Sequence, residues 1–355
     1  MALAVVALLA GLWAGLVLLG LPVPTGGTDL AEAHGPLMAL AFLGTLIGVE
    51  RAVALRRGWA YLSPVAAGVG GLATAAGAPL QIGPALLTVA GLALVAIFVA
   101  VYRIQPALHT VVMAAGAACW PVAGALWLAG WDVPRFVPFL AGFLVLTIAG
   151  ERLELSRMVG TSRLARGGFI GVAGTLVVGL VVALWVEPIG VRIAGLGLLG
   201  IAAWLARYDI ARRTIRAPGV TRYMATALLT GYLWLATAGV LWAVSGRMAD
   251  GRAYDAMLHA IFLGFVISMV FAHAPVIVPA VLGTPLPFHR GFYVQLALLH
   301  ASVALRLLGG DATGNLTAWQ LGGVLNETAL LLFLCVTVGA VLRARRRQAA
   351  AGSSA

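Results

Sequence analysis

The chain contains no lysine, only two cysteines and few charges of either sign, and each scarcity narrows what it can be. Charged residues occupy 10% of the 355 positions, against roughly a quarter in soluble domains. That leaves too little polar surface to cover a water-soluble fold of this length. Without lysine, the formal net charge of +11 rests on arginine alone. A nucleic-acid-binding protein gathers such charge into one patch or stripe. Here the arginines are scattered through short segments at the ends of apolar runs, which argues against a nucleic-acid partner. Cys119 and Cys335 fall in separate apolar runs, far from any CxxC spacing, and read as small buried hydrophobes, with no disulfide framework.

What is present is apolar sequence. Hydrophobic residues make up 62% of the chain and mean hydropathy is +1.02. Runs of about 20 residues recur from Ala2 to Leu342, each long enough to cross ~30 Å of hydrocarbon. The 45 glycines suit helices that pack backbone against backbone in lipid. The fold expected is all-α, a polytopic membrane protein with a lipid bilayer as its partner. About twelve transmembrane helices are expected, at 2–22, 34–55, 59–77, 80–102, 107–130, 134–151, 167–186, 190–208, 222–245, 257–282, 290–309 and 316–342. The first run lacks a basic leader and a small-residue cleavage site, so it reads as a retained helix rather than a removable signal. Residues 1–343 form one transmembrane domain, followed by a basic, disordered tail over 344–355.

Charge sets the orientation. With the amino terminus in the cytoplasm, 18 of the 23 arginines fall on the cytoplasmic side, Arg157 and Arg347 among them. Arg135, Arg192, Arg247, Arg252 and Arg306 fall outside, together with acids such as Asp29, Asp132 and Asp255. A wrong helix count would scramble this asymmetry. Both termini are therefore expected in the cytoplasm, with the bacterial inner membrane as the location. Glu50-Arg51 ends helix 2 and Glu151-Arg152 ends helix 6, and four helices further on His273 stands at a similar depth. This spacing suggests three pseudo-repeats of four helices.

Ionisable groups within hydrocarbon are costly, so each is a functional candidate. His34 and His259 lie at one edge of helices 2 and 10, while His109 and His273 lie near the opposite edge. His300 and Glu327 share a depth near the middle of helices 11 and 12, and His289 is in a loop. Two histidines from different helices at one depth suit a bis-histidine haem. Met38 follows His34 by four residues and Met269 precedes His273 by four, and thioethers suit copper(I). The plainer readings are that a helix-end histidine caps or snorkels and that methionine packs. Glu50, Arg51, Glu151 and Arg152 read mainly as reciprocal ion pairs between helices 2 and 6, with a proton path as the other reading. Pro275 and Pro279 are expected to bend helix 10 and present His273 to a cavity, or to end the helix.

The run Leu258-His259-Ala260, Gly264 and Ser268-Met269 resembles the Leu-His-Ala-x3-Gly-x3-Ser/Thr-Met segment of the NnrS family. These are polytopic haem- and copper-containing proteins linked to nitric oxide metabolism, distantly similar to subunit I of haem-copper oxidases. His34-Gly35-Pro36-Leu37-Met38 resembles the family's His-and-Met opening of helix 2, although the family's His-x-His-Glu-Met run is reduced here to one histidine. The resemblance implies a haem between helices 2 and 10, held by His34 and His259. His300 and His273 are further cofactor candidates, with copper at His34, His259, Met38 or Met269. Nitric oxide or a redox partner would be its counterpart. Gly35, Gly44, Gly48 and Gly264 are expected to leave the slot that a macrocycle needs. Helices 6 and 7 lack histidine, so the oxidases' copper site is missing, which speaks against oxygen reduction with proton pumping. The rival function is a proton-coupled transporter of a small solute, using His300 and Glu327 as a midplane pair.

Overall fold

The computed structural model describes residues 1–25, 30–79, 81–156, 160 and 162–352, the last six by their backbone alone. Asp29 and Arg157, and residues 353–355 of the expected tail, lie outside the described residues, as does the side chain of Arg347. The described chain is helical, with no strand. Its long helices are α1 (Ala2–Leu18), α2 (His34–Leu55), α3 (Leu62–Ala75, entered through a 3-10 turn Gly58–Tyr61), α4 (Ile82–Ile104), α5 (Leu108–Leu128) and α6 (Val133–Ser156). They continue as α7 (Arg163–Ala183), α8 (Glu187–Tyr208), α9 (Gly219–Ser245), α10 (Gly251–Leu282), α11 (Phe292–Asp311) and α12 (Leu316–Gly352).

Ten of these helices are long and apolar enough to cross a membrane, and the protein is a multi-pass membrane protein. The other two, α1 with 17 residues and α3 with 14, are shorter than the expected spans. Pro64 forms part of α3's first turn, where its missing N–H costs nothing. The basic segment expected as a disordered tail continues α12 as helix to Gly352. Neither Pro275 nor Pro279 ends α10, which runs through both to Leu282.

Consecutive helices pack closely because glycine sits where backbones meet. A Cβ on Gly116 of α5 would stand 2.9 Å from the Thr147 backbone nitrogen of α6, and one on Gly239 of α9 would stand 2.5 Å from the Leu199 nitrogen of α8. No real side chain fits at such distances, so these contacts exist only with glycine there. Gly44 faces the Trp120 ring of α5, Gly48 abuts Ser63 and Pro64 of α3, and Gly264 faces Trp234 of α9. These three glycines therefore serve helix packing, contrary to the expectation that they open a slot. Gly35 alone of the four lines a cavity.

Three helices depart from α geometry by wide, π-type turns: Leu37–Leu43 in α2, Ala260–Ile267 in α10 and Leu305–Asp311 in α11. Such turns are rare and gather at functional sites. All three meet around one space.

Candidate functional site: a polar-walled cavity between α2, α10, α11 and α12

That space is a cavity of about 1400 Å³ at one end of the bundle. Its lining comes from the α1–α2, α3–α4, α5–α6, α9–α10 and α11–α12 junctions. An antiparallel bundle brings every such odd-to-even junction to the same end. The cavity exceeds the ~300–1,000 Å³ of pockets that take drug-sized ligands. Leucines, Phe262, Trp127, Trp131 and Trp319 supply much of the wall.

His34 and His259 both line it, each one residue or a few ahead of a wide turn. His34 Nδ1 lies 2.8 Å from the Gly11 carbonyl of α1, and His259 Nδ1 lies 2.8 Å from the Asp255 carbonyl one turn earlier. A carbonyl only accepts, so Nδ1–H donates in both cases and Nε2 carries the lone pair. Among the described residues neither Nε2 has a protein partner. This is the arrangement of a metal-binding imidazole, whose other nitrogen is tied to a carbonyl that fixes tautomer and ring orientation.

The polar wall was only partly legible. Asp255 accepts from Arg306 of α11 in a two-pronged pair, 2.7 Å to Nε and 2.6 Å to Nη2, while its Oδ2 stands 3.2 Å from His259 Nδ1. Arg306 also lies 5.1 Å over the Trp319 ring. Asp311 and Asn326 line the same cavity, both buried, and neither side chain has a hydrogen-bond partner among the described residues. Sequence reasoning passed over all four as site residues. Asp255 stands four before His259 on one helical face, and Arg306 interrupts an apolar run; both signals were available.

Glu327 also lines this cavity, close to His34: a Cβ on Gly15 would lie 2.7 Å from Glu327 Oε1 and 3.3 Å from His34 Cε1. The expected His300–Glu327 pair does not form. His300 turns to α9 and α10, accepting at Nδ1 from Trp234 Nε1 at 3.0 Å, with Nε2 at 2.8 Å from Thr230 Oγ1 and 3.3 Å from Ser268 Oγ. Both hydroxyls already donate to carbonyls, so His300 donates through Nε2–H and has no nitrogen left for a ligand. It lines a separate cavity of about 830 Å³. Equal depth does not make neighbours, because each helix also has a rotation.

Of the thioethers, Met38 lines the large cavity and packs on Gly11. Met269 is buried against Gly231 of α9, away from it, and joins no site with His34 and His259. Among the described residues no group of three or more His, Cys, Asp or Glu is placed to hold a metal ion by itself.

The opposite end carries an ionic cluster. Arg51 Nη2 donates to Glu50 Oε1 at 3.1 Å and, closer still, to Glu151 Oε1, which is the α2–α6 bridge expected. The reciprocal half is absent. Arg152 instead donates from Nε and Nη2 to Asp209 at 2.7 and 2.8 Å, with side-chain exposures of 3% and 0%. Its Nη1 stands 3.5 Å from His273 Nε2, and His273 Nδ1 donates to the Met269 carbonyl at 2.8 Å. The two Glu-Arg phrases therefore hold unlike partners, and a guanidinium faces His273 where a metal would bind. Asp209, the buried partner, carried no periodicity or motif that would have marked it.

These features define a polytopic helical membrane protein with a histidine-bearing cavity at one end and a buried ionic cluster at the other. The chain belongs to the family described as Domain of unknown function (DUF8744), whose model matches residues 1–342. No curated protein and no solved structure matches it.

Proposed function

We propose that the protein binds haem in the large cavity, where His34 and His259 would hold the iron, and acts in nitric oxide response or membrane redox handling. The observation that carries this reading is the pairing itself. Two histidines 225 positions apart line one cavity, each with Nδ1 tied to a carbonyl and Nε2 without a protein partner. The residues present fit such a group: imidazole lone pairs for the iron, and apolar and indole walls for a macrocycle. A haem bound there supplies one-electron redox chemistry. Asp255 and Arg306 hold His259 in place from behind, and Gly11 does the same for His34. The similarity of α2 and α10 to the NnrS pattern supports nitric oxide or a redox protein as the partner. Copper is the alternative metal, with Met38 lining the same cavity as the two histidines, whereas Met269 faces away.

The charge asymmetry supports placement in the bacterial inner membrane with both termini cytoplasmic, which puts the cavity at the outer face. Alkaline phosphatase fused after residue 132 or 250 should be active, and after 215 inactive.

The decisive measurement is the absorption spectrum of the purified protein. A Soret band is expected, lost or shifted in His34→Ala and His259→Ala and unchanged in His289→Ala. Absence of any band from protein made with ample haem supply overturns the reading, and so does a wild-type band in both alanine variants.

A further inference from the structure

A third cavity, of about 560 Å³, lies at the ionic-cluster end and stands apart from everything described so far. Four arginines line it, Arg207, Arg212, Arg213 and Arg216, with Ser162 and Tyr208. They come from the end of α8 and the ten-residue connection to α9 (209–218), which includes a single helical turn, Ala211–Thr214. One acid also lines it, Asp209, but that carboxylate is spent: Arg152 takes both oxygens and the Ala211 N–H donates to Oδ1 at 2.6 Å. Among the described residues none of the four arginines is within ion-pair distance of a carboxylate. Instead Arg207 lies 5.1 Å over the Tyr208 ring, and Arg212 Nη1 donates to the Arg207 carbonyl at 2.9 Å. The connection thus folds back so that four solvent-exposed guanidinium groups line one cavity, a concentration of positive charge that suits an anion.

Further features suit a phosphate. The guanidinium fork matches tetrahedral oxyanions two oxygens at a time. Ser162 caps α7, its Oγ accepting from Ala165 N at 3.1 Å, so the positive end of a 21-residue helix adds to the same field. The cavity also sits at the edge of the apolar layer. The apolar run of α8 stops at Ala206, just before Arg207. Beneath it the buried Trp204 packs on Phe169 and Tyr208 at centroid distances of 4.7 and 5.4 Å. Leu164, 83% exposed on the first turn of α7, continues an apolar outer surface from there. Phospholipid headgroups lie at that level, and basic pockets between membrane helices suit them.

We propose that this cavity binds a phosphate group, carried by an anionic phospholipid or by a free phosphate compound. The proposal is independent of the haem reading.

The test uses the full chain, purified in detergent and reconstituted into nanodiscs of phosphatidylcholine with or without phosphatidylglycerol. The variant Arg212→Gln/Arg213→Gln/Arg216→Gln is compared with Arg290→Gln/Arg343→Gln/Arg346→Gln, which removes the same charge from exposed arginines elsewhere at this end. Phosphatidylglycerol retained per protein is read by mass spectrometry, and the shift in unfolding temperature is read with phosphatidylglycerol and with inorganic phosphate. The pocket variant should retain at least fivefold less phosphatidylglycerol, while the control keeps the wild-type amount. If inorganic phosphate displaces the lipid and stabilises the wild type alone, the ligand is a free phosphate compound and the site stands. Equal retention in wild type and pocket variant, without a phosphate-dependent shift in either, overturns the proposal. So does an equal loss in both variants, which would mean diffuse surface charge. Should the triple variant not fold, Arg213→Gln/Arg216→Gln serves in its place, since neither side chain is hydrogen-bonded to the protein among the described residues.

Discussion

The two ends of this bundle solve the cost of buried charge in opposite ways. At the ionic-cluster end the buried charges are paired directly: Arg152 and Asp209 satisfy each other with almost no exposure, and Arg51 bridges Glu50 and Glu151. At the histidine end the charges surround a void. Asp255 and Arg306 pair along its wall, but among the described residues Asp311 and Asn326 have no hydrogen-bond partner and neither Nε2 of His34 and His259 meets a protein group. Buried polar groups left unmatched cost ~1–3 kcal/mol each. All three wide turns lie at the cavity end.

The contrast can be broken by removing Asp209. Asp209→Ala leaves Arg152 charged and buried, and breaking such a pair costs ~3–5 kcal/mol. Loss of folded protein or a steep fall in unfolding temperature is expected, with partial recovery when Arg152→Leu is added. A stable single variant would show that water already reaches the cluster. Asp255→Ala should act differently, because its partners border a cavity. We expect a 10–100-fold loss of cofactor affinity, typical when the group behind a ligating histidine is removed. Haem titration measures it, and the fall in unfolding temperature should be smaller than for Asp209→Ala.

Two glycine substitutions sharpen the comparison further. At Gly44 a Cβ would lie 2.8 Å from Cζ3 of the fully buried Trp120 ring, so Gly44→Ala should cost ~1–3 kcal/mol of stability without touching the cavity. Gly15→Val puts its methyls against Glu327 and His34, in the cavity itself. It should cut the Soret absorbance per protein severalfold while leaving the unfolding temperature near wild type. The reverse pattern would mean that the cavity is a packing defect. The smallest effect is expected from Glu50→Gln. Glu50 is 28% exposed and Arg51 keeps Glu151, so thermal unfolding should change by no more than ~1 kcal/mol.

Sequence alone determined the membrane class, the places of the helices and the candidate pair His34 and His259. Apolar run length and the depth of a residue along a helix are one-dimensional quantities, and a bilayer makes both decisive. The spans expected at 34–55 and 257–282 end where α2 and α10 end, because Arg56 and Gly283 adopt left-handed backbone there. Only the tertiary structure decided which groups at one depth meet. It gave Arg152 to Asp209 rather than to helix 2, turned His300 to Trp234 and Thr230 rather than to Glu327, and set Gly44, Gly48 and Gly264 against other helices. Each outcome depends on how far a helix is rotated about its axis. Rotation is set by packing against several neighbours at once, and wide turns shift it part-way along α2, α10 and α11. No count of residues along a single helix contains that information.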